Sequence, residues 1–316
     1  MLQHLILLTA PLFLLVLLGY ALVQWARWPK TIADALTQFV FSIAIPAMLF
    51  RLMSGVSNLP PPDWTLLIVF FGSCLAVFLL GRVLGRFMFR MDGVSQSVFG
   101  LGAVFSNIVL LGLPLSKITL GDASVPAVSL VLVFNAFLLW TLVTVSVEWA
   151  RRDRSADSNL LAGIAKTAKD VITNPIVASI LGGTLFGFTG IPLPAVLDQT
   201  FVLLGEAAAP LALVALGMGL ATYSLKDGLK ESLVICALKL VVQPLLVYLL
   251  ARWLGLSTLN TQVVVLLAAA PTGANVYLMA RQFKTLEGTI AFAMVLSVAL
   301  SSITIPVALA LLGVKS

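Results

Sequence analysis

The stretch Val263–Ala280, VVVLLAAAPTGANVYLMA, decides how this chain is read. Its flanks are apolar enough to enter a bilayer, but its middle is Pro271-Thr272-Gly273-Ala274-Asn275. Proline lacks a backbone donor and its ring clashes with the carbonyl one turn back, while glycine loosens the same turn. In hydrocarbon each freed amide or carbonyl is costly unless protein, water or a ligand meets it. A buried segment broken in its middle therefore points to a binding site. An earlier stretch, Phe105–Leu115, FSNIVLLGLPL, has the same character, with Ser106, Asn107, Gly112 and Pro114. Two interrupted apolar segments in corresponding halves of a chain are the pattern of a carrier's midplane site.

Composition sets the solvent. Of 316 residues, 60% are hydrophobic and 10% charged, against about 25% charged in a soluble domain. Runs of about 20 apolar residues recur, each long enough to cross a bilayer. Ten spans are expected. The first five are 5–24, 32–53, 64–84, 94–118 and 125–150, and the second five are 171–188, 195–222, 231–254, 261–280 and 288–312. The fold class is thus an all-α polytopic membrane protein. The net charge of +6 lies in short loops, so it reports topology and not nucleic-acid binding.

Lys and Arg are unevenly shared between the two sides. Fourteen, including Arg27, Lys30, Arg82, Arg86, Arg90 and those of 151–170, fall on one side, and only Arg51, Lys117, Arg252 and Lys315 on the other. The positive-inside rule puts the 151–170 linker in the cytoplasm and both termini outside.

The halves, 1–150 and 171–316, echo each other. An offset of 164 superposes Pro11 on Pro175, Gly19 on Gly183, Asp34 on Asp198, Pro46 on Pro210 and Gly55 on Gly219. Five spans per half is an odd number, so the second half enters from the opposite side. The expected architecture is an inverted 5+5 repeat whose broken fourth and ninth spans cross.

The candidate substrate residues are Ser106, Asn107, Gly112, Pro114, Pro271, Thr272, Gly273 and Asn275. Asn107 and Asn275 offer amides beside backbone opened by Pro114 and Pro271. Half-helix N-termini there favour an anion, and unwound carbonyls favour a cation. The blander alternative is that these residues only glue spans together. Glu206 and Lys239 are the only charges deep within spans. At ~1.5 Å rise per residue they fall at matching depth, which suits an ion pair or a coupling site. Asp34 and Asp198, at the starts of spans, read as helix caps, and Asn135 and Gln243 as interhelical glue.

No metal or cofactor is expected. Cys74 and Cys236 fall in spans, and His4 is the only histidine. Gly100-Leu101-Gly102 lacks the strand–helix context of a nucleotide loop.

These motifs resemble those of the auxin efflux carrier family. Asn107…Gly112-Leu113-Pro114-Leu115, Pro271…Ala274-Asn275-Val276-Tyr277, and Gly205–Leu213 followed by Gly217 carry the resemblance, which spans essentially the whole chain. It implies a bacterial inner-membrane member of a fold shared with bile-acid/sodium symporters. Helices 1, 2, 6 and 7 would form a scaffold, and helices 3–5 and 8–10 a transport domain. The implied function is secondary transport of a small organic anion, such as an auxin-like acid, malate or malonate. Homodimers through the scaffold are implied too, with membrane lipid as the other partner. Glu206 departs from the family pattern, where a neutral residue is expected. A sodium-coupled organic-anion symporter is the alternative within transport, although the broken segments contain no carboxylate. An intramembrane enzyme or receptor fits poorly, lacking a paired acid or nucleophile set and an output domain.

Overall fold

The computed structural model describes residues 2–55, 63–152, 175–221 and 228–314. Beyond Arg152 the expected linker lies outside the described residues, as do the start of the sixth expected span and Thr222 at the end of the seventh. Regular structure among the described residues is helical, with one isolated antiparallel bridge between Ser106 and Thr272. Five helices are long and apolar enough to cross a membrane: Thr31–Arg51, Trp64–Phe89, Ala195–Leu220, Leu229–Trp253 and Glu287–Leu311. Shorter apolar helices include Phe13–Gln24, Ile108–Leu120, Ala178–Phe188 and Thr258–Ala269. Large apolar side chains cover the outside as well as the core: Leu17, Ile68, Leu185, Ile303 and Leu311 are all exposed. Water would penalise so much outward apolar surface, whereas lipid accepts it. The protein is an integral membrane protein.

Proline shapes three of the helices in one way. The π-helical turns Val40–Ala44, Ile108–Gly112 and Leu238–Val242 are each followed two residues later by a proline, Pro46, Pro114 and Pro244. A proline ring collides with the carbonyl one α-turn back, and a wider turn moves that carbonyl aside. The chain therefore continues as helix through all three, into Ile45–Ser54, Leu113–Leu120 and Gln243–Trp253. This corrects one expectation: Pro114 does not open the backbone. It sits in the first turn of a helix, where its missing N–H costs little.

Several helix starts are capped by side chains. Asp63 Oδ1 accepts from Thr65 N at 3.0 Å, and Asp92 Oδ1 from Ser95 N at 2.7 Å. Asp34 and Asp198 are not caps. The helices that contain them begin after Pro29 and Pro194, with no side-chain cap bond. Asp34 is exposed. Asp198 instead makes a two-pronged ion pair with Arg51, Nε to Oδ1 at 2.7 Å and Nη2 to Oδ2 at 3.2 Å, joining the second expected span to the seventh.

Three glycines bring helix backbones close together. A Cβ at Gly19 would run into the carbonyl oxygen of Val214, and one at Gly183 into that of Phe50. Gly217 lies in the same way against the carbonyl of Val16. Only a residue without a side chain allows backbones this near. The offset of 164 carries Gly19 to Gly183 and Phe50 to Val214, so the first two contacts map onto each other.

Candidate functional site

Two helices stop in the middle of the structure. Gly93–Gly102 ends, and Ala103–Asn107 runs on as irregular backbone before the π turn Ile108–Gly112. Thr258–Ala269 ends, Ala270 is extended, and helix resumes at Ala274. A helix end leaves orphan carbonyls behind and orphan amides ahead, and here the two interruptions supply partners for each other. Asn107 N donates to Pro271 O at 2.7 Å, and Gly273 N donates to Phe105 O at 2.8 Å, on either side of the Ser106–Thr272 bridge. Thr272 Oγ1 donates to the orphan carbonyl of Gly102 at 3.0 Å, and Thr272 N donates to Ser297 Oγ at 3.1 Å.

The expected residues take distinct places in this crossing. Gly273 lets the backbones touch, since a Cβ there would lie 3.1 Å from Ser106 O. Gly112 donates its N–H to Asn107 O at 3.0 Å and faces Leu267, whose Cδ2 would lie 3.0 Å from an added Cβ. Asn107 Oδ1 accepts from Leu110 N at a long 3.4 Å, capping the π turn. Its Nδ2 and the neighbouring Ser106 Oγ are buried without a hydrogen-bond partner. A buried donor left unmet costs about 1–3 kcal/mol; Ser116, Ser129, Asn135, Thr141 and Thr304 also hold a buried polar atom without a partner, but Ser106 and Asn107 are adjacent and sit at the helix break. Asn275 is half-buried in the first turn of Ala274–Phe283. Pro271 is buried at the crossing, whereas Pro114 lines a cavity beside it.

That cavity has a volume of about 340 Å³ and separates the fourth expected span from the second and seventh. Val109, Leu113, Pro114 and Lys117 form one wall, and Ile45, Met48, Gly205, Glu206 and Pro210 are among the residues of the others. Asn107 and Asn275 do not line it. The wall is apolar apart from Glu206 and Lys117, and Lys117 also lies 3.6 Å from Asp122.

Glu206 and Lys239 do not pair. Glu206 is exposed towards the cavity, whereas Lys239 is fully buried and donates to Gln243 Oε1 at 2.8 Å and to Ala268 O. Matching depth on two helices says nothing about which way each side chain points, and the two point to different neighbours.

Three contributors escaped the sequence reading. Lys117 was counted only as a loop charge, although 109, 113 and 117 share one helical face. Ser297 sits on the tenth expected span with no motif around it. Gln243 does more than join two helices: its Nε2 donates to Val104 O at 3.1 Å and to Cys74 Sγ at 3.3 Å while its Oε1 holds Lys239. Both cysteines are buried free thiols, and no group of three or more His, Cys, Asp or Glu able to hold a metal occurs among the described residues.

Comparison with known proteins agrees with this picture. Residues 4–309 match the family described as "Membrane transport protein". A protein named "Putative malonate transporter" from Rhizobium meliloti (strain 1021) is 29% identical over 279 residues, covering 87% of this chain and 86% of that one. "Uncharacterized transporter YfdV" of Escherichia coli (strain K12) is 25% identical over 292 residues, 88% of each chain. "Auxin efflux carrier component 8" of Arabidopsis thaliana is 22% identical over 330 residues, 89% of each chain.

Proposed function

This chain belongs to the membrane transport protein family, the auxin efflux carriers of the sequence resemblance, and on that footing we propose that it is a secondary carrier of a small organic anion. The expected cargo is a carboxylate of the size of malonate, malate or an auxin-like acid, moved across a bacterial inner membrane by alternating access. The observation that carries this reading is the pair of unmet donors, Asn107 Nδ2 and Ser106 Oγ, at a break where two helices restart. Restarting helices bring positive dipole ends, which suit a carboxylate beside those donors.

The inverted ten-helix repeat belongs to the same proposal. The mapped pairs Gly19–Val214 and Gly183–Phe50 support it, as do the two interruptions that satisfy each other's backbone. In this arrangement the cavity lies between scaffold helices 2 and 7 and the fourth helix of the transport domain. Lys117 attracts the anion there, and Glu206 on the opposite wall is placed to carry a coupling proton. Both termini lie outside, and the scaffold forms the dimer contact.

Uptake of labelled malonate, malate and indole-3-acetate by proteoliposomes tests the reading. Accumulation of at least one acid beyond that in protein-free liposomes under the same imposed pH gradient supports it. Liposomes that take up none of the three in either protein orientation would contradict it.

A further inference from the structure

Helices of this protein close in two ways. Among the described residues, Gly121, Gly190, Gly255 and Gly313 close helices with φ between 65° and 78°, the left-handed turn that glycine takes without strain. Arg27, Arg90 and Lys284 make the same turn, with φ of 55°, 52° and 54°, just past Leu2–Gln24, Trp64–Phe89 and Ala274–Phe283. In each the next amide turns back to the helix: Trp28 N to Leu22 O at 2.9 Å, Met91 N to Gly85 O at 3.0 Å and Thr285 N to Ala280 O at 2.9 Å. The other left-handed residues, Gly228 and Leu286, precede helices. A side chain in this conformation costs stability, so three long basic ones are unexpected where glycine would serve.

The two kinds of closure sit at opposite ends of the molecule. Ser95 Oγ and Thr285 Oγ1 share a hydrogen bond at 2.6 Å, which puts Arg90 and Lys284 at one end. Ser232 Oγ donates to Thr289 O at 2.8 Å, so Leu229–Ala237 starts there as well. Ala221 precedes Gly228 by only seven positions, too few to cross a bilayer, and Ala195–Leu220 therefore ends on this side. Its other end carries Asp198, paired with Arg51, so the helical stretch 30–54 runs away from Arg27 and leaves Arg27 beside the other two. Glycine marks the far end. Gly190 shortly precedes Ala195, Asn260 Nδ2 near Gly255 donates to Asp63 Oδ2 at 3.2 Å, and Gln262 Nε2 donates to Leu312 O beside Gly313 at 3.3 Å. Gly121 ends the span that Gly93 begins.

Helix-end charge does not account for the division, because every helix C-terminus favours a cation and the far end uses glycine. The surroundings differ instead: anionic lipid gathers on the cytoplasmic leaflet, the side to which the charge bias assigns Arg27 and Arg90. Trp25 and Trp28 flank Arg27, and Trp253 stands two residues before Gly255. All three tryptophans are exposed, as side chains at headgroup depth are. Arg27, Arg90 and Lys284 are exposed too, without an ion pair among the described residues. Asp92, Glu231 and Glu287 of the same end cap helices or stand in their first turns.

We propose that Arg27, Arg90 and Lys284 bind anionic phospholipid, each holding a headgroup phosphate at a helix end, and that this contact offsets the strain of the left-handed turn. A guanidinium fork matches phosphate oxygens, and Phe87 and Met88, exposed beside Arg90, face the acyl chains. Lipid binding of this kind holds whatever the cargo is.

The test melts the full-length protein in neutral detergent with added phosphatidylglycerol, phosphatidylcholine or inorganic phosphate. Phosphatidylglycerol should raise the melting temperature of wild type by several degrees, saturating at a few lipids per protein, and the other two additions should not. Arg90→Gly/Lys284→Gly should melt no lower than wild type without lipid, because glycine suits the turn, and should lose most of the phosphatidylglycerol shift. Arg86→Gln/Lys230→Gln removes two exposed charges of the same end that are not left-handed closures, and should keep most of it. Equal stabilisation of wild type by both lipids, or by inorganic phosphate, overturns the proposal, and so does equal loss of the shift in the two double variants. A double glycine variant that melts several degrees below wild type without lipid also overturns it, since the basic residues would then serve the helix ends alone. If that variant does not accumulate, Arg90→Gly and Lys284→Gly are measured singly against the same outcomes.

Discussion

The backbone amide of Asn107 donates to the carbonyl of Pro271 at 2.7 Å, tying together two helix interruptions more than 160 positions apart in the chain. Both residues lie between helices, Asn107 just before the π turn Ile108–Gly112 and Pro271 between Thr258–Ala269 and Ala274–Phe283. Each break therefore supplies what the other lacks, and the side-chain amide of Asn107 is left over.

The two prolines should differ in effect. In Pro271→Ala the restored N–H can reach the carbonyl of Leu267, so Thr258–Ala269 can lengthen and draw Thr272 and Gly273 out of the bridge. Losing one or two such bonds costs roughly 1–3 kcal/mol, and uptake in proteoliposomes should fall by about tenfold or more while the protein stays monodisperse. Pro114→Ala changes a first-turn position after a π turn and should keep most of its uptake. Equal losses would mean that the crossing does not depend on the Pro271 break.

Glycine packing gives a stability test with its own control. A Cβ at Gly217 meets the carbonyl of Val16, while nothing lies within 4 Å of one at Gly72. Gly217→Ala should lower the melting temperature in detergent, with an overpacking cost of about 1–3 kcal/mol. Gly72→Ala should hold or raise it, by up to about 1 kcal/mol from helix propensity. Similar melting of the two variants would contradict the close approach of the first and seventh spans.

Because Glu206 and Lys239 face different neighbours, their substitutions should not couple. Glu206→Gln and Lys239→Met should combine to within about 0.5 kcal/mol of the sum of the single effects. A coupling of 1 kcal/mol or more, on the order expected for groups in contact, would show an interaction absent from this structure.

Topology follows from charge. A cytoplasmic reporter fused after Ser155 should be active, and a periplasmic reporter should be active at the C-terminus. A cytoplasmic C-terminus would remove the odd number of spans per half, and the inverted repeat with it.

Much of this was legible in the sequence, for identifiable reasons. Pro271 and Gly273 mark a break because both act on the local backbone, and local effects can be read without knowing the neighbours. The match of Gly19 to Gly183 was legible because close helix contact tolerates no side chain at either position. Side-chain direction was not legible. Lys239 and Glu206 are expected at one depth, but Lys239 is buried in a π turn and Glu206 faces a cavity. Pro114 misled for a similar reason, since a wider turn can absorb a proline that would break an α-helix. Asp198 was misread as a cap because its partner, Arg51, lies in the other half of the chain.

The central claim is that an anion sits against the unmet donors of the crossing. Equilibrium binding of the transported acid to purified wild type, Asn107→Ala and Ser106→Ala, with Asp34→Asn as control, tests it most directly. Each alanine variant should bind more weakly by about 1–3 kcal/mol, the range for a hydrogen bond to a charged group, and the control should bind as wild type. Wild-type affinity in both alanine variants would contradict the account.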